Sequence, residues 1–285
     1  MSIKIEKVSF SYMPGTPFAK DAIHDISLEI KKGEFVGVIG HTGSGKSTLM
    51  QHLNGLILAD EKKGGKVYIN DILLNKKNVR DLRKSVGYVF QYPEYQLFEE
   101  TVYKDIAFGL KKLKLSPEDE RKAVLSAAEI VGISDALLER SVYDLSGGQK
   151  RRVAIAGVIV MNPEYLILDE PAAGLDPSGK EEILSFAKRM RDERGTAVVL
   201  VSHSMEDIAE IADRVIVMNS GRILIDGTPR EVFSQNELLT EAGLSVPEIT
   251  KLFIRLNREY SFISRDVYTV SDAVSVMKNI LTGVD

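Results

Sequence analysis

The sequence contains no cysteine among its 285 residues. This absence excludes disulfide bonds, thiolate zinc sites and thiol catalysis, and it is compatible with a cytosolic protein. Apolar runs are also short, because the longest, Val153 to Met161, falls far below the roughly 20 residues that span a bilayer. The segment Met1 to Phe10 contains charged residues and no apolar stretch, so we expect no signal peptide. Any function at a membrane would therefore depend on another chain.

The sequence also lacks a net positive charge. The chain has 37 Lys and Arg against 41 Asp and Glu, which gives a formal net charge of −4. Nucleic acids are met mostly by Lys and Arg at their phosphates, so this balance argues against nucleic acid as the main partner. The length allows one large α/β domain with a small appendage.

The order of apolar patterns predicts an α/β core. Val8, Phe10 and Tyr12 alternate with polar residues, as in a half-exposed strand, whereas residues 35–39 form a continuous apolar run typical of a strand buried on both faces. From about Phe98 onward, apolar residues recur at helical spacing, which predicts a helical subdomain inserted into that core. Further strands are predicted at Tyr165–Leu168, Ala197–Val201 and Val215–Met218.

A glycine-rich loop directly follows the buried strand. Residues 40–47 fit the pattern G-x-x-x-x-G-K-[ST] between a strand and a helix, in which backbone N–H groups and the helix N-terminus point at phosphate oxygens. Lys46 is expected to reach the β- and γ-phosphates, and the Ser47 hydroxyl to ligate Mg²⁺. A glycine-rich turn without a ligand is the plainer alternative. The residues predicted to contact ATP here are Gly40, His41, Thr42, Gly43, Ser44, Gly45, Lys46, Ser47 and Thr48.

A second candidate site follows the strand Tyr165–Leu168, which ends in Asp169 and Glu170. In a phosphate-loop protein this is the position of the Mg²⁺-coordinating aspartate, so we assign Asp169 to the metal. The adjacent Glu170 could polarise the attacking water as a general base. Alone, two acids at a strand end would more often form a solvated turn or a helix cap, but beside the loop they indicate ATP hydrolysis.

The pentapeptide Leu145-Ser146-Gly147-Gly148-Gln149, followed by Lys150-Arg151-Arg152, matches the ABC signature motif letter for letter. The chain therefore resembles the ABC-type ATPases. Ser146 is a good helix N-cap, and the glycines leave N–H groups exposed for a γ-phosphate. The resemblance implies a head-to-tail dimer in which Ser146, Gly147, Gly148 and Gln149 serve the ATP of the second ATPase.

Other residues resemble further elements of that family, in the family order. Tyr12 resembles the aromatic residue that stacks on adenine, although an ordinary strand tyrosine is an alternative. Gln91 resembles the Q-loop glutamine, which touches Mg²⁺ and faces the membrane partner. Asp176 lies at the key D-loop position, and His203 resembles the switch histidine at the γ-phosphate. The resemblance thus implies Glu170, His203, Lys46 and Gln91 as catalytic residues, Ser47, Gln91 and Asp169 as metal ligands, and ATP with Mg²⁺ as cofactors.

Two segments narrow the resemblance. Val89–Phe98 closely resembles the Q-loop region of the ATPases of energy-coupling factor (ECF) transporters, and Ala172–Pro177 resembles their A-prime type. Such systems take up vitamins and some transition metals with two ATPases, a transmembrane coupling protein and a substrate-binding membrane protein. The resemblance implies a motor subunit at the cytoplasmic face of the cell membrane, paired with a related ATPase in a heterodimer, or in a homodimer.

The resemblance also implies a fold and its division. We expect a P-loop NTPase core of ABC-ATPase type with an antiparallel β subdomain, an inserted helical subdomain at about 98–162 and a small C-terminal appendage. Residues 1–234 would form the ATP-binding domain. Residues 235–285, with amphipathic helices at Pro247–Tyr260 and Ser271–Leu281, would be an extension that packs on the core or serves dimerisation.

Several alternatives remain open at this point. A soluble ABC ATPase of DNA repair usually separates the phosphate loop from the signature by long coiled-coil heptads, and residues 47–144 contain no heptad array. An ABC importer ATPase outside the ECF group and a non-catalytic, ATP-gated scaffold are the others. The aromatic residues Tyr92, Tyr95 and Phe98 are either plain core or the lining of a groove for helices of the membrane partner.

Overall fold

Two β-sheets flanked by helices make up residues 1–60 and 64–282, the part of the chain that this computed structural model describes. The strands are β1 (Ser2–Tyr12), β2 (Lys20–Lys31), β3 (Phe35–Ile39), β4 (Lys66–Ile69), β5 (Ile72–Leu73), β6 (Val86–Val89), β7 (Tyr165–Asp169), β8 (Ala197–Val201), β9 (Arg214–Asn219) and β10 (Arg222–Gly227). The helices are α1 (Lys46–Leu53), α2 (Val79–Leu82), α3 (Val102–Ala107), α4 (Pro117–Ile130), α5 (Asp135–Leu138), α6 (Gly147–Ile159), α7 (Pro177–Arg194), α8 (Met205–Ile211), α9 (Pro229–Phe233), α10 (Asn236–Glu241), α11 (Glu248–Glu259) and α12 (Val270–Thr282).

The larger sheet has the order β10-β9-β3-β8-β7-β6. Its strands from β9 to β6 run parallel, and β10 returns antiparallel after a hairpin at Ser220-Gly221, where both residues have positive φ. Every residue of β3, β7 and β8 is buried, as their continuous apolar sequences predict. This parallel sheet confirms the predicted α/β core.

The smaller sheet, β2-β1-β4-β5, is antiparallel and packs its apolar face on the larger one. Ile3, Ile5 and Val8 of β1 are buried together with residues of β2 and with Val36 and Val38 of β3. Of the residues predicted to alternate, Val8 is buried, Phe10 is half-buried and Tyr12 is exposed, so this part of β1 is half-exposed, as the sequence predicts. The expected antiparallel β subdomain is present.

Helices α3 to α6 form the region inserted between β6 and β7. Ser116 caps α4 by accepting from the Asp119 amide, and Pro117 occupies the first helical position, as the sequence predicts. Apolar residues of α3, α4 and α6 join the main core cluster. The helical insertion between the strands of the α/β core is thus confirmed, and it connects the Q-loop segment to the signature segment.

The C-terminal segment is built of helices, and part of it packs into the main core. Leu239, Val246 and Tyr268 belong to the same buried cluster as Met205 and Ile208 of α8. A small separate cluster holds α11 and α12 together around Phe253, Ile263, Val267 and Ala273. The predicted division into residues 1–234 and 235–285 remains a prediction. Residues 61–63 of the first unit and 283–285 of the second lie outside the described residues. Within 1–60 and 64–282, no helix is long and apolar enough to cross a membrane.

Candidate functional site

The predicted catalytic residues meet at one edge of the larger sheet. The carboxyl ends of β3, β6, β7 and β8 lead respectively into the loop at Gly40, into Gln91, into Asp169 and into His203. Ligand sites of open α/β sheets lie at this edge, where loops after neighbouring strands come together. A cleft of about 400 Å³ lies there, lined among others by Tyr12, Thr42, Gly43, residues 45–48, Gln91, Glu170 and His203.

The phosphate loop is tight because its glycines have no side chain. Gly45 has a φ of 99°, and a Cβ on it would lie 2.5 Å from the Ala22 carbonyl oxygen. A larger residue would therefore be both strained and blocked. The next residue, Lys46, donates from Nζ to the carbonyl oxygens of Gly40 and His41, at 2.7 and 3.0 Å. The ammonium group thus bonds to the first two residues of the loop, next to the expected position of the phosphates.

The charge of Lys46 is held in a partly desolvated place. Burial lowers the pKa of the ammonium group, and the carboxylates of Glu170 and Asp169 act in the opposite direction. A phosphate group in the cleft would supply further negative charge next to this lysine.

Neighbouring strands hold the loop from outside. The Gly221 amide in the β9–β10 hairpin donates to the Ser44 carbonyl at 3.0 Å, and the His24 amide donates to the Gly221 carbonyl at 2.8 Å. His41 Nε2 lies 3.1 Å from Asn219 Oδ1 in the same hairpin. These contacts fix the loop before any ligand binds.

The candidate metal site combines a hydroxyl and a carboxylate. Ser47 Oγ donates to Asp169 Oδ1 at 3.3 Å, and Tyr88 OH donates to Asp169 Oδ2 at 2.8 Å. Burial raises the pKa of Asp169, while the bonds from Tyr88 and Ser47 lower it. Hard oxygen donors of this kind suit Mg²⁺, so the residues present fit that ion. Tyr88 belongs to no motif and to no predicted strand, so only its packing beside Asp169 identifies it.

Glu170 stands between the two other predicted catalytic side chains. Gln91 Nε2 donates to Glu170 Oε2 at 2.9 Å, and His203 Nε2 lies 2.7 Å from Glu170 Oε1. The backbone of Glu170 is left-handed, with a φ of 52°, which is uncommon for a residue other than glycine. Two neutral or cationic donors around one carboxylate hold it in a single orientation, which suits a group that must face a water molecule.

Tyr12 lies at the other end of the cleft, on the last residue of β1. Its hydroxyl is 3.1 Å from Thr48 Oγ1, and its ring makes an edge contact with Phe10 at a centroid distance of 4.9 Å. The ring remains 41% exposed. An aromatic ring held by its edge and its hydroxyl, with surface left in a cleft, is suited to stacking on a flat base.

The signature residues form a helix start that stands apart. Ser146 Oγ accepts from the Gln149 amide and Gln149 Oε1 accepts from the Ser146 amide, which makes a capping box at the start of α6. Gly147 and Gly148 are exposed, and a Cβ on either would meet no atom within 4 Å. Asp176 caps α7 by accepting from the Gly179 amide at 2.8 Å. None of these residues is among the described residues that line the cleft.

The aromatic residues after Gln91 lie on the surface. Tyr92, Tyr95 and Phe98 are 41%, 84% and 55% exposed, so the plain-core interpretation is wrong. Phe98 makes an edge contact with Phe108 of the helical insertion at 4.7 Å. Tyr92 adopts the left-handed conformation, with φ and ψ both 55°. An exposed aromatic strip therefore begins one residue beyond a side chain that contacts the candidate base.

The sequence matches proteins of known family. Residues 23–173 match the family described as ABC transporter. The chain is 56% identical to the energy-coupling factor transporter ATP-binding protein EcfA2 of Caldanaerobacter subterraneus subsp. tengcongensis, over 99% of each chain. It is 52% identical to the protein of the same name from Clostridium tetani, over 96% of this chain and 95% of that one.

Solved structures resemble the fold as well. CbiO1 from Clostridium perfringens, described as part of the ABC transporter complex cbiONQ, aligns with a TM-score of 0.74 at 38% identity, over 88% of this chain and 97% of that one. A dimeric ATP-binding cassette in a post-hydrolysis state, bound to ADP and phosphate, aligns with a TM-score of 0.70 at 29% identity. The alignment covers 80% of this chain and 98% of the cassette's chain.

Proposed function

This chain belongs to the ABC transporter family and, within it, to the energy-coupling factor transporter ATP-binding proteins, and from that premise we propose how its site works. The chain is an ATPase, the motor subunit of an ECF-type importer. The observation that supports the site assignment best is the bracketing of Glu170 by Gln91 and His203 beside the Ser47–Asp169 pair. These five side chains come from four separate segments of the chain.

The residues divide the work of hydrolysis. The loop N–H groups and Lys46 hold the phosphates of ATP, and Ser47 and Asp169 would hold Mg²⁺, with Gln91 near it. When bound, Mg²⁺ neutralises charge on the phosphate oxygens. Glu170 accepts the proton of the attacking water, while Gln91 and His203 keep its carboxylate oriented. His203 can then turn towards the γ-phosphate, since its side chain is about half exposed.

The open signature helix supports a dimeric site. Gly147 and Gly148 at its start are exposed, and neither residue lines the cleft of its own chain. We propose that they close over the ATP of a second ATPase, in a heterodimer with a related chain. Asp176, at the N-cap of α7, would stand at the same interface. One chain thus supplies half of each of two sites.

The aromatic strip supports a membrane partner. Tyr95 and Phe98 are exposed, large and apolar, next to the helical insertion. Such residues anchor an amphipathic helix in a groove. We propose that they receive helices of a transmembrane coupling protein, which places the chain at the cytoplasmic face of the membrane together with a substrate-binding membrane protein. The transported solute would be a vitamin or a metal ion.

Purification of the tagged chain from native membranes tests this function. We expect a second ATPase and two membrane proteins to co-purify, and the complex to hydrolyse ATP in the presence of Mg²⁺. Hydrolysis by the chain without any membrane protein would favour a soluble ABC ATPase. Co-purification without hydrolysis would favour a scaffold that only binds ATP.

Replacing both Tyr95 and Phe98 by alanine should weaken assembly with the membrane partner. Buried aromatic anchors contribute about 2 kcal/mol or more each at interfaces, so we expect about a 1,000-fold loss in association when both are removed. ATP binding should not change, because neither residue lines the cleft. Ile72→Ala is the matched control, since Ile72 is also exposed and apolar but lies on β5 of the antiparallel sheet. Unchanged co-purification of the double variant would end the docking proposal.

Replacing Tyr12 by alanine should raise the KM for ATP with a smaller effect on kcat. Stacking of a base on an aromatic ring is worth about 1–3 kcal/mol, which corresponds to roughly 5- to 150-fold in affinity. Tyr12→Phe keeps the ring and loses the bond to Thr48, so it should bind ATP nearly as well as the original chain. Equal KM values for the alanine variant and the original chain would make Tyr12 an ordinary strand tyrosine.

A further inference from the structure

Arg151, in the first turns of α6, is buried to 3% exposure and donates four hydrogen bonds. Its Nε and Nη2 donate to the two carboxylate oxygens of Glu94, at 2.9 and 2.7 Å. Its Nη1 donates to the carbonyl oxygens of Pro171 and Ala173, at 3.1 and 2.9 Å. The planar guanidinium fork therefore faces a side chain on one side and a backbone segment on the other.

These partners belong to the two segments that carry the catalytic pair. Glu94 lies three residues after Gln91, and Pro171 directly follows Glu170. Gln91 and Glu170 are themselves joined by the 2.9 Å hydrogen bond between their side chains. Arg151 thus closes a loop of contacts that runs from Gln91 through Glu94 to the residue after Glu170. The guanidinium also lies 5.9 Å from the ring of Tyr92, the first residue of the aromatic strip.

Stability alone is a weak explanation for this arrangement. Replacing a buried ion pair by apolar residues is often neutral or stabilising, so burial of Arg151 and Glu94 calls for another role. The two bonds to the carbonyl oxygens of Pro171 and Ala173 hold the backbone of the turn after Glu170 in place. A bond to a side chain would leave that backbone free to move. Burial would raise the pKa of Glu94, but the bonds from Arg151 bring it below its ordinary value, so the carboxylate stays charged.

We propose that Arg151 is a positioning residue that sets Glu170 relative to Gln91, and that it thereby couples the aromatic strip to hydrolysis. The proposal rests on the function proposed above, in which Glu170 is the base and the strip meets the membrane partner. A displacement of the strip would pass through Glu94 and Arg151 to the backbone beside Glu170. Arg151 touches neither reacting atoms nor, in its own chain, the cleft.

The closing experiment compares variants in the purified membrane complex. Arg151→Lys keeps the charge but lacks the fork, and Glu94→Gln keeps the shape but lacks the charge. Glu182→Gln is the matched control, because Glu182 pairs with the next arginine of α6, Arg152, at 2.7 Å on the surface and joins neither segment. The measurements are kcat and KM for ATP, and amide hydrogen exchange in segments 92–97 and 171–176.

For Arg151→Lys we expect kcat to fall about 100-fold, the cost of a 1 Å misplacement of a catalytic group. KM should stay within about threefold, because ground-state binding of ATP is untouched. Exchange should increase in both segments together. Glu94→Gln should show the same pattern in weaker form, which also serves if the lysine variant does not fold. The Glu182→Gln control should match the original complex in all measurements.

Other outcomes overturn the proposal. A kcat equal to the original value in both variants, or faster exchange in only one segment, would reduce Arg151 to a local anchor. A parallel loss of kcat and folding in both variants would make the role structural. If the original complex does not hydrolyse ATP, the proposed function fails instead, and the exchange measurement still decides whether Arg151 joins the two segments.

Discussion

Glu170→Gln will stop steady-state hydrolysis while ATP still binds. Glutamine has nearly the shape of glutamate, and its amide oxygen can still accept from Gln91, but it cannot take a proton from water. Loss of a general base costs about 10²- to 10⁴-fold in rate. Because ATP would hold the two ATPases together and hydrolysis would release them, the variant should accumulate as an ATP-bound dimer. Phosphate release and size-exclusion chromatography with ATP and Mg²⁺ measure both effects.

The hydrolysis rate and the accumulation of ATP-bound dimer together decide the role of Glu170. Glu210→Gln is the control, because Glu210 is an exposed glutamate of α8 whose contact with Lys188 is only a loose surface pair. It should hydrolyse ATP at the original rate. Undiminished hydrolysis by Glu170→Gln would refute the base assignment. Loss of hydrolysis together with loss of ATP binding would mean that Glu170 holds the nucleotide rather than activates water.

Lys46→Met will weaken ATP binding itself. Methionine keeps an unbranched side chain of similar length, but it cannot donate to phosphate oxygens. Hydrogen bonds to charged groups contribute about 1.5–3 kcal/mol each, so the affinity for ATP should fall by about 10- to 100-fold or more. Hydrolysis should fall with it, and no ATP-bound dimer should accumulate. Equilibrium binding of a fluorescent ATP analogue gives the measurement.

Lys46→Met and Glu170→Gln thus separate binding from chemistry. Lys188→Met is the control for the lysine, since Lys188 lies on α7, does not line the cleft and forms a loose surface pair with Glu210. Full affinity of Lys46→Met for ATP would contradict the assignment. The loop should keep its shape in the variant, because the hairpin contact from Gly221 to Ser44 does not involve Lys46.

Local patterns predict much of this fold. Continuous apolar runs at β3, β7 and β8 and the cap at Ser116 are set by neighbouring residues, so the sequence shows them directly. The strands β4 to β6 are different, because each is four residues or fewer and owes its form to pairing with distant strands. Local patterns therefore do not predict them. The short helix α10 is a similar case, since its one buried residue, Leu239, joins a core assembled elsewhere.

The candidate site divides in the same way. Motifs place Lys46, Asp169 and Glu170 because each lies in a short pattern at the end of a strand. The contact of Gln91 with Glu170 joins residues 79 positions apart, and no spacing rule gives it. Tyr88 and Arg151 act through side chains that cross between elements, so only the packed structure reveals them. The family resemblance thus predicts the roles of the motif residues, whereas the folded structure shows which side chains contact them.

The left-handed backbone at Tyr92 and Glu170 has a consequence beyond the chemistry of the site. Each such residue carries strain of about 1–3 kcal/mol that the surrounding structure must overcome. β-Branched residues fit this conformation worst, and glycine or asparagine fit it best. Sequence variation at these two positions is thus restricted by backbone shape before any demand for a base or an aromatic ring applies. Substitution of Tyr92 or Glu170 by glycine or asparagine would relieve the backbone strain and stabilise the fold, but it would remove the side chain proposed for docking or for hydrolysis.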